Sequence, residues 1–204
     1  MNRKAALLII AVCLMGSMQS RAAIYTVSID TTTLQGDRGT LAFDFTSSDP
    51  FSNFVFILDF THNGATGPPE TQGGLVSGDI ILSLNPAPVT SIGDEFFFNQ
   101  LAVPFTSFGT SITFTVLTTD VAPAAGGLPD ELSLFILTPD RKIFIGSADP
   151  NGADAMFSLC IDGTLSGLLN VFDPAEFVKP DMITINGPLV GKILFKDSFE
   201  TSVE

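Results

Sequence analysis

Histidine, tyrosine and tryptophan are almost absent from this chain of 204 residues, which has one His, one Tyr and no Trp. The single histidine, His62, lies in a glycine-rich stretch that predicts a surface loop. Ser-His-Asp and Cys-His hydrolases need a histidine base, and the chain contains no Gly-x-Ser-x-Gly nucleophile motif. We therefore predict that the protein is not an enzyme, and we assign it no catalytic residue.

A secretory signal peptide is predicted over residues 1–22. Arg3 and Lys4 provide a positive start, residues 5–16 are apolar, and small residues surround a cleavage site after Ala22. The apolar stretch is shorter than the roughly 20 residues that span a bilayer. We expect cleavage without a stable membrane span, and a mature protein that is secreted or periplasmic.

Cysteine is also scarce, because Cys13 lies in the predicted leader and Cys160 is the only one that follows it. A single thiol excludes an intramolecular disulfide, and one Cys with one His supplies too few ligands for zinc. The alternating segment AMFSLCID predicts that Cys160 is a small buried thiol in a strand. Stability is then expected to come from a hydrophobic core.

Positive charge is rare as well, with nine Lys and Arg against 22 Asp and Glu, a formal net charge of −13. Loss of Arg3, Lys4 and Arg21 with the leader leaves six basic residues and a mature charge of −16. Such a chain should avoid nucleic acids and anionic membrane surfaces, which would repel it. We predict that the acidic residues form a solvated surface. We also predict an extracellular or envelope partner, whose identity the sequence does not give.

Two-residue alternation of apolar and polar side chains follows the leader. It is clearest in YTVSI (25–29), GTLAFDFT (39–46) and SITFTVLT (111–118), and it predicts antiparallel strands with one buried face. Three segments are apolar on both faces and predict central strands or strands under loops: 53–60, 79–84 and 132–138. DPAEFVKP (173–180) predicts at most one helical turn.

Clusters of Gly, Pro, Asn and Asp separate these segments at the spacing of an all-β fold. We predict an antiparallel β-sandwich or jelly roll of about eight to ten strands, with long loops at 61–74 and 121–130. The predicted sandwich domain covers residues 23–186. Residues 187–204 are expected to form a C-terminal strand and an acidic tail. Strand-like runs lie at 182–185, at the end of the predicted domain, and at 189–195.

The motifs resemble those of uncharacterised exported bacterial β-sandwich proteins of the PEP-CTERM-associated type. The resemblance covers roughly residues 24–155 and rests on these segments: YTVSIDTTTLQGDRGTLAFDF, GGLVSGDIILSL, EFFFNQLAVPFTSFGTSITFTV, LSLFILTPDRK and DPNG. It implies an exported β-sandwich with no established activity. The residues after Ile185 lack the Pro-Glu-Pro motif, apolar helix and basic cluster of a PEP-CTERM tail, which favours free secretion or periplasmic residence.

The segment SADPNGADA (147–155) is the candidate metal loop, because Asp149, Asn151 and Asp154 place three oxygen side chains within six positions. Calcium takes six to eight oxygen ligands, so this loop would need further carboxylates. Asp120, Asp130 and Asp140 lie near predicted strand ends and are the proposed additional donors. A tight turn through Pro150 and Gly152 explains the same residues without a metal, and we prefer the turn; no other cofactor is predicted.

The main functional prediction is an exported, non-enzymatic β-sandwich that serves as a cell-envelope or extracellular matrix or interaction component. The alternative is an extracellular ligand-binding module that resembles a carbohydrate-binding domain, with or without structural calcium. Sugar sites usually present Trp or Tyr rings, and Tyr25 is the only such residue. Binding to glycans that is lost in Tyr25→Ala would favour the module.

Overall fold

The fold is described from a computed structural model for residues 21–48, 53–73, 76–78, 89–164, 169–172, 174 and 182–192. These residues form β-strands and one short 3₁₀ turn, Thr32–Leu34. The strands are β1 (Arg21–Asp30), β2 (Gly39–Thr46), β3 (Phe54–His62), β4 (Ala65–Thr66), β5 (Glu70–Gly73), β6 (Val76–Gly78), β7 (Thr90–Gly93), β8 (Phe98–Ser107), β9 (Ser111–Thr119), β10 (Asp130–Leu137), β11 (Phe157–Ile161), β12 (Leu169–Val171) and β13 (Ile183–Lys192).

Two antiparallel sheets pack against each other, which confirms the predicted β-sandwich. Sheet I has the order β13-β1-β9-β3-β7-β6, and sheet II has the order β12-β11-β10-β2-β8-β4, with β5 also paired to β8. The described strands number thirteen, more than the eight to ten predicted. The excess comes from β4, β5, β6 and β12, which have two to four residues each and are too short to show alternation.

The core lies between the inward faces of the two sheets. In β9, Ile112, Phe114 and Val116 are buried as the alternation predicts. Phe114 meets Phe43 of sheet II edge to face, with ring centroids 5.1 Å apart. Each fully buried apolar side chain of this size stabilises the fold by about 1.5–3 kcal/mol, so such pairs hold the sheets together.

Strand β3 departs from simple alternation at a bulge. Its register with β9 shifts between Leu58 and Thr61, and Asp59 has a φ of 51°. An extra residue in one strand reverses the faces of those that follow. Phe60 therefore stacks on Phe114 at 5.9 Å, and Thr61 lies on the solvent face.

Three sequence predictions differ from the structure in detail. The predicted loop at 61–74 contains β4 and β5, because both pair with β8. Residues 183–185 of the first C-terminal run and 189–192 of the second belong to one strand, β13, which pairs with β1 and continues past residue 186 to Lys192. On β2, Thr40 and Ala42 are buried although alternation places them on the outer face.

Two predicted segments, 79–84 and 173–180, lie outside the described residues apart from Pro174. Within the described part of the chain, no helix is long and apolar enough to cross a membrane.

Candidate functional site

The outer face of sheet II carries a row of polar side chains that crosses neighbouring strands. Gln72 of β5 lies opposite Gln100 of β8, Gln100 opposite Asp44 of β2, and Asp44 opposite Ser133 of β10. Directly opposed residues of antiparallel strands point to the same face, so these four side chains are neighbours. We call them the polar row. The register continues to Ser158 and Asn170, but Ser158 is buried.

Small side chains lie beside the polar row. One row along, Ala102 of β8 is opposite Ala42 of β2, with Glu70 of β5 and Phe135 of β10 at the two ends. Both alanines are buried although they lie on the outer face, so this part of the sheet surface is covered.

Arg141 extends over the outer face of sheet II from the loop that follows β10. Its Nη1 donates to Gln100 Oε1 at 3.3 Å, and its Nη2 forms an ion pair with Glu70. Gln100 and Glu70 lie on β8 and β5, so the side chain crosses β2. The Arg141 backbone has a φ of 64°, a left-handed conformation that costs a non-glycine residue about 1 kcal/mol.

A tight loop holds Arg141 in this position. The Arg141 N–H donates to Thr138 O at 3.0 Å, and the Thr138 N–H donates to Lys142 O at 2.8 Å. Asp140 pairs with Lys142 on the exposed side, with Nζ and Oδ2 2.6 Å apart. Lys142 therefore faces away from the groove while its neighbour Arg141 reaches into it.

Asp44 is the half-buried carboxyl group of this surface. Burial raises its pKa, while the hydrogen bond from Gln100 Nε2 at 2.7 Å and the charge of Arg141 act in the opposite direction. A chain of polar contacts thus runs from Asp44 through Gln100 and Arg141 to Glu70. The groove around it has a volume of about 420 Å³ and is lined by Glu70, Thr71, Gln72, Gln100, Leu137 and Arg141.

A groove of this size is within the usual range for small-molecule sites, and its walls supply hydrogen-bond donors and acceptors beside one leucine. The sequence does not reveal it, because its residues come from three segments that are distant in sequence: 70–72, 100 and 137–141. Gln72 lies in the stretch predicted as a loop, and only the pairing of β5 with β8 brings it to the sheet. Asp44 was correctly placed on an outer face by alternation.

The predicted metal loop forms the predicted turn. Gly152 N donates to Asp149 O at 3.0 Å, which closes a four-residue turn with Pro150 in second place. The Asp149 carboxylate accepts hydrogen bonds from the N–H groups of Asn151 at 2.9 Å and Ala155 at 3.4 Å. Both of its oxygens therefore serve the local backbone.

Asp154 also bonds the loop backbone, because its carboxylate accepts from the Ser147 N–H at 3.0 Å. Asp120, Asp130 and Asp140 have other partners, which are Gly163 N, Asn53 Nδ2 and Lys142 Nζ. Across the described residues, no group of three His, Cys, Asp or Glu side chains is arranged to hold a metal ion. The proposed additional donors are thus not gathered at the loop.

A buried polar cluster at one end of the sandwich was not predicted. Asn53 is 1% exposed; its N–H donates to Asp94 Oδ2 at 2.7 Å, and its Nδ2 donates to Asp130 Oδ2 at 2.8 Å. Its Oδ1 accepts from Thr119 Oγ1 and from Val121 N. Burial raises the pKa of Asp130, and the nearby charge of Asp94 raises it further.

The prediction that His62 lies in a surface loop is wrong. His62 is the last residue of β3, and its ring packs against aromatic rings. Its ring centroid lies 5.2 Å from that of Phe105 and 5.9 Å from that of Phe60. Burial lowers the pKa of His62, and the nearby Gly64 backbone opposes this shift. The residue caps the core at the end of β3.

Cys160 and Tyr25 also differ from expectation. Cys160 is only half-buried on the outer face of sheet II, where its Sγ lies 3.8 Å from Glu131 Oε2. Burial and the Glu131 carboxylate raise the pKa of this thiol, which disfavours the nucleophilic thiolate. Tyr25 is 2% exposed and belongs to the core, so it is not a platform for sugar binding.

No protein-family model matches this chain, and no curated protein or solved structure was found to be similar to it. The functional argument therefore depends on the site itself. The likeness to exported PEP-CTERM-associated proteins stays a prediction from the sequence motifs.

Proposed function

We propose that the protein is exported and acts outside the cytoplasm as a non-enzymatic binding component, with the groove beside Arg141 as its ligand site. The supporting observation is the set of contacts that places Gln100, Arg141 and Glu70 together in the wall of a groove on the outer face of sheet II. A left-handed arginine backbone costs free energy, and such conformations cluster at functional sites. The N-terminal segment 1–22 motivates the proposed export.

The non-enzymatic part of the proposal is supported by the positions of two reactive side chains, His62 and Cys160. The His62 ring packs on Phe105, whose side chain belongs to the core, whereas Cys160 is on the opposite side of sheet II. A histidine base must lie within hydrogen-bonding distance of the thiol that it activates. These two residues therefore do not form a nucleophile–base pair.

A thermal-shift screen of the purified protein against neutral sugars, polyols and small amides tests the binding proposal. A ligand that binds the folded state raises the melting temperature in proportion to RT ln(1 + [L]/Kd). The shift should be lost in Arg141→Ala, which removes the groove cation, and kept in Lys142→Ala, its neighbour paired to Asp140. A screen without any Arg141-dependent shift would contradict the proposal.

Export is tested separately by fractionating cells that express the whole chain and a version lacking residues 1–22. We expect the whole chain outside the cytoplasm and the truncated chain inside it. Finding both in the cytoplasm would contradict the localisation and leave the groove unaffected.

A further inference from the structure

We infer that the ligand is a neutral, unbranched, hydroxyl-rich chain of the oligosaccharide class, which lies across the strands of sheet II along the polar row. This inference rests on the proposed function and adds the ligand class and its direction. It uses the part of the surface that the groove alone does not explain, namely Asp44 and Ser133.

The length of the polar row sets the size of the ligand. Its four residues lie on β5, β8, β2 and β10, which makes three strand-to-strand intervals of about 4.8 Å, or about 14 Å in total. That distance is comparable to a few sugar units joined end to end. The buried Ser158 on β11 ends the accessible part of the row.

The chemistry of the row suits hydroxyl groups, which donate and accept hydrogen bonds. Gln72 and Gln100 each carry an amide with donors and an acceptor, Asp44 carries a carboxylate, and Ser133 carries a hydroxyl. A sugar chain presents several hydroxyls along the whole distance. An extended peptide, in contrast, gains affinity by main-chain pairing at a sheet edge, whereas the polar row lies on a sheet face whose backbone is already paired.

Charge excludes an acidic polymer from this row. Asp44 and Glu70 contribute two carboxylates against the single guanidinium of Arg141, so the groove itself is net negative. The whole chain has a formal net charge of −13, and an anionic ligand would be repelled as it approached. A neutral ligand meets no such barrier.

Two half-exposed phenyl rings flank the row and supply apolar contact. Phe98 lies two residues before Gln100 on β8, and Phe135 lies two residues after Ser133 on β10, both on the outer face. Aromatic rings pack against the apolar faces of sugar rings while neighbouring polar groups bond the hydroxyls. Phenylalanine thus takes the place of the Trp and Tyr that the chain lacks.

Calorimetric titration of the purified protein with linear oligomers of glucose, N-acetylglucosamine and mannose, each from one to six units, tests the inference. For the series that binds, affinity should rise with each added unit up to about three units and then level off, as the row length requires. Ser133→Ala should weaken the trimer about threefold to tenfold and leave the monomer unchanged. Thr115→Ala, on the outer face of sheet I, is the matched control and should leave the affinities for the trimer and the monomer unchanged.

Four outcomes would overturn this inference. If the sugar monomer binds as tightly as the trimer, the ligand site is the groove alone and does not extend along the polar row. Failure of all three sugar series, while the thermal-shift screen gives an Arg141-dependent hit, would reject the ligand class and keep the proposed function; failure of both would reject both. Tighter binding of neutral Ser- and Gly-rich peptides than of any sugar would reassign the row to peptides.

Discussion

The half-buried carboxyl group of Asp44 makes the stability of the protein depend on pH. Burial raises its folded-state pKa above that of the unfolded chain, so the folded state holds the proton more tightly. Asp44 therefore contributes most to the free energy of unfolding at pH values below its pKa in the unfolded chain. This contribution declines as the pH rises through its pKa in the folded state. Asp130 shifts in the same direction and adds to the same trend.

We predict that Asp44→Asn reduces this loss of stability with rising pH. The amide oxygen can still accept from Gln100 Nε2, while the desolvated charge is gone. Urea unfolding at about pH 4 and about pH 7 measures the slope, which is the change in the free energy of unfolding with pH. Asp140→Asn is the control, because the pKa of that exposed group is lowered and its contribution is lost as pH falls. An unchanged slope in Asp44→Asn would contradict the assignment.

Asn53 is the residue on which the buried polar cluster depends. Asn53→Ala removes the amide that joins Asp130, Thr119 and Val121: the buried Asp130 carboxylate loses a donor, and the Thr119 hydroxyl and the Val121 N–H lose their acceptor. We expect a loss of about 2–4 kcal/mol in the free energy of unfolding, since each unsatisfied buried group costs about 1–3 kcal/mol. Chemical denaturation measures the loss.

The matched control for this variant is Asn63→Ala. The Asn63 side chain makes three hydrogen bonds, against four for that of Asn53; they join it to the Thr110 hydroxyl and to the N–H groups of Thr110 and Ser111, but Asn63 is exposed. Water can replace those bonds, so the cost should be clearly smaller. Equal losses in the two variants would show that burial does not determine the value of Asn53.

At the scale of the elements, two loops cross so closely that only glycine fits. A Cβ at Gly109, between β8 and β9, would lie 2.1 Å from Asn63 Oδ1 and 2.6 Å from Gly64 N. The second contact is with backbone, which cannot move aside as a side chain can. The crossing fixes the end of β3 relative to the β8–β9 hairpin.

We predict that Gly109→Ala lowers the melting temperature more than Gly152→Ala does. Gly152 has a φ of 69°, so alanine there meets conformational strain, but no atom lies within 4 Å of its Cβ. Gly109→Ala adds direct overlap, and overpacking costs about 1–3 kcal/mol. Differential scanning calorimetry compares the two, and a smaller loss at Gly109 would contradict the crossing.

How much of this could be predicted depends on whether the cause is local. Alternation in 111–118 predicts β9 because the buried face of one strand is a property of one segment. The bulge at Asp59 and the strands β4 and β5 are set by the partner strands, so the local pattern does not show them. The polar row requires the register of four strands, and only the outward positions of single members such as Asp44 follow from the sequence.

For the whole molecule, the excess of acidic residues decides how cations should act. Like charges destabilise the compact state, and any salt reduces this repulsion by screening. With 22 Asp and Glu against nine Lys and Arg, the melting temperature should rise with ionic strength in sodium chloride. A specific calcium site would add stability beyond this general effect.

We predict that calcium adds no stability beyond this general effect of salt. The Asp149 and Asp154 carboxylates accept hydrogen bonds from N–H groups of their own loop, and an ion would have to replace these bonds with its own coordination. Melting temperatures in calcium, in magnesium and in chelator with sodium chloride should therefore agree at equal ionic strength. A rise specific to calcium, of the size expected for a site filled at a hundredfold excess (about 2.7 kcal/mol) and abolished in Asp149→Ala, would instead establish a calcium loop at 149–154.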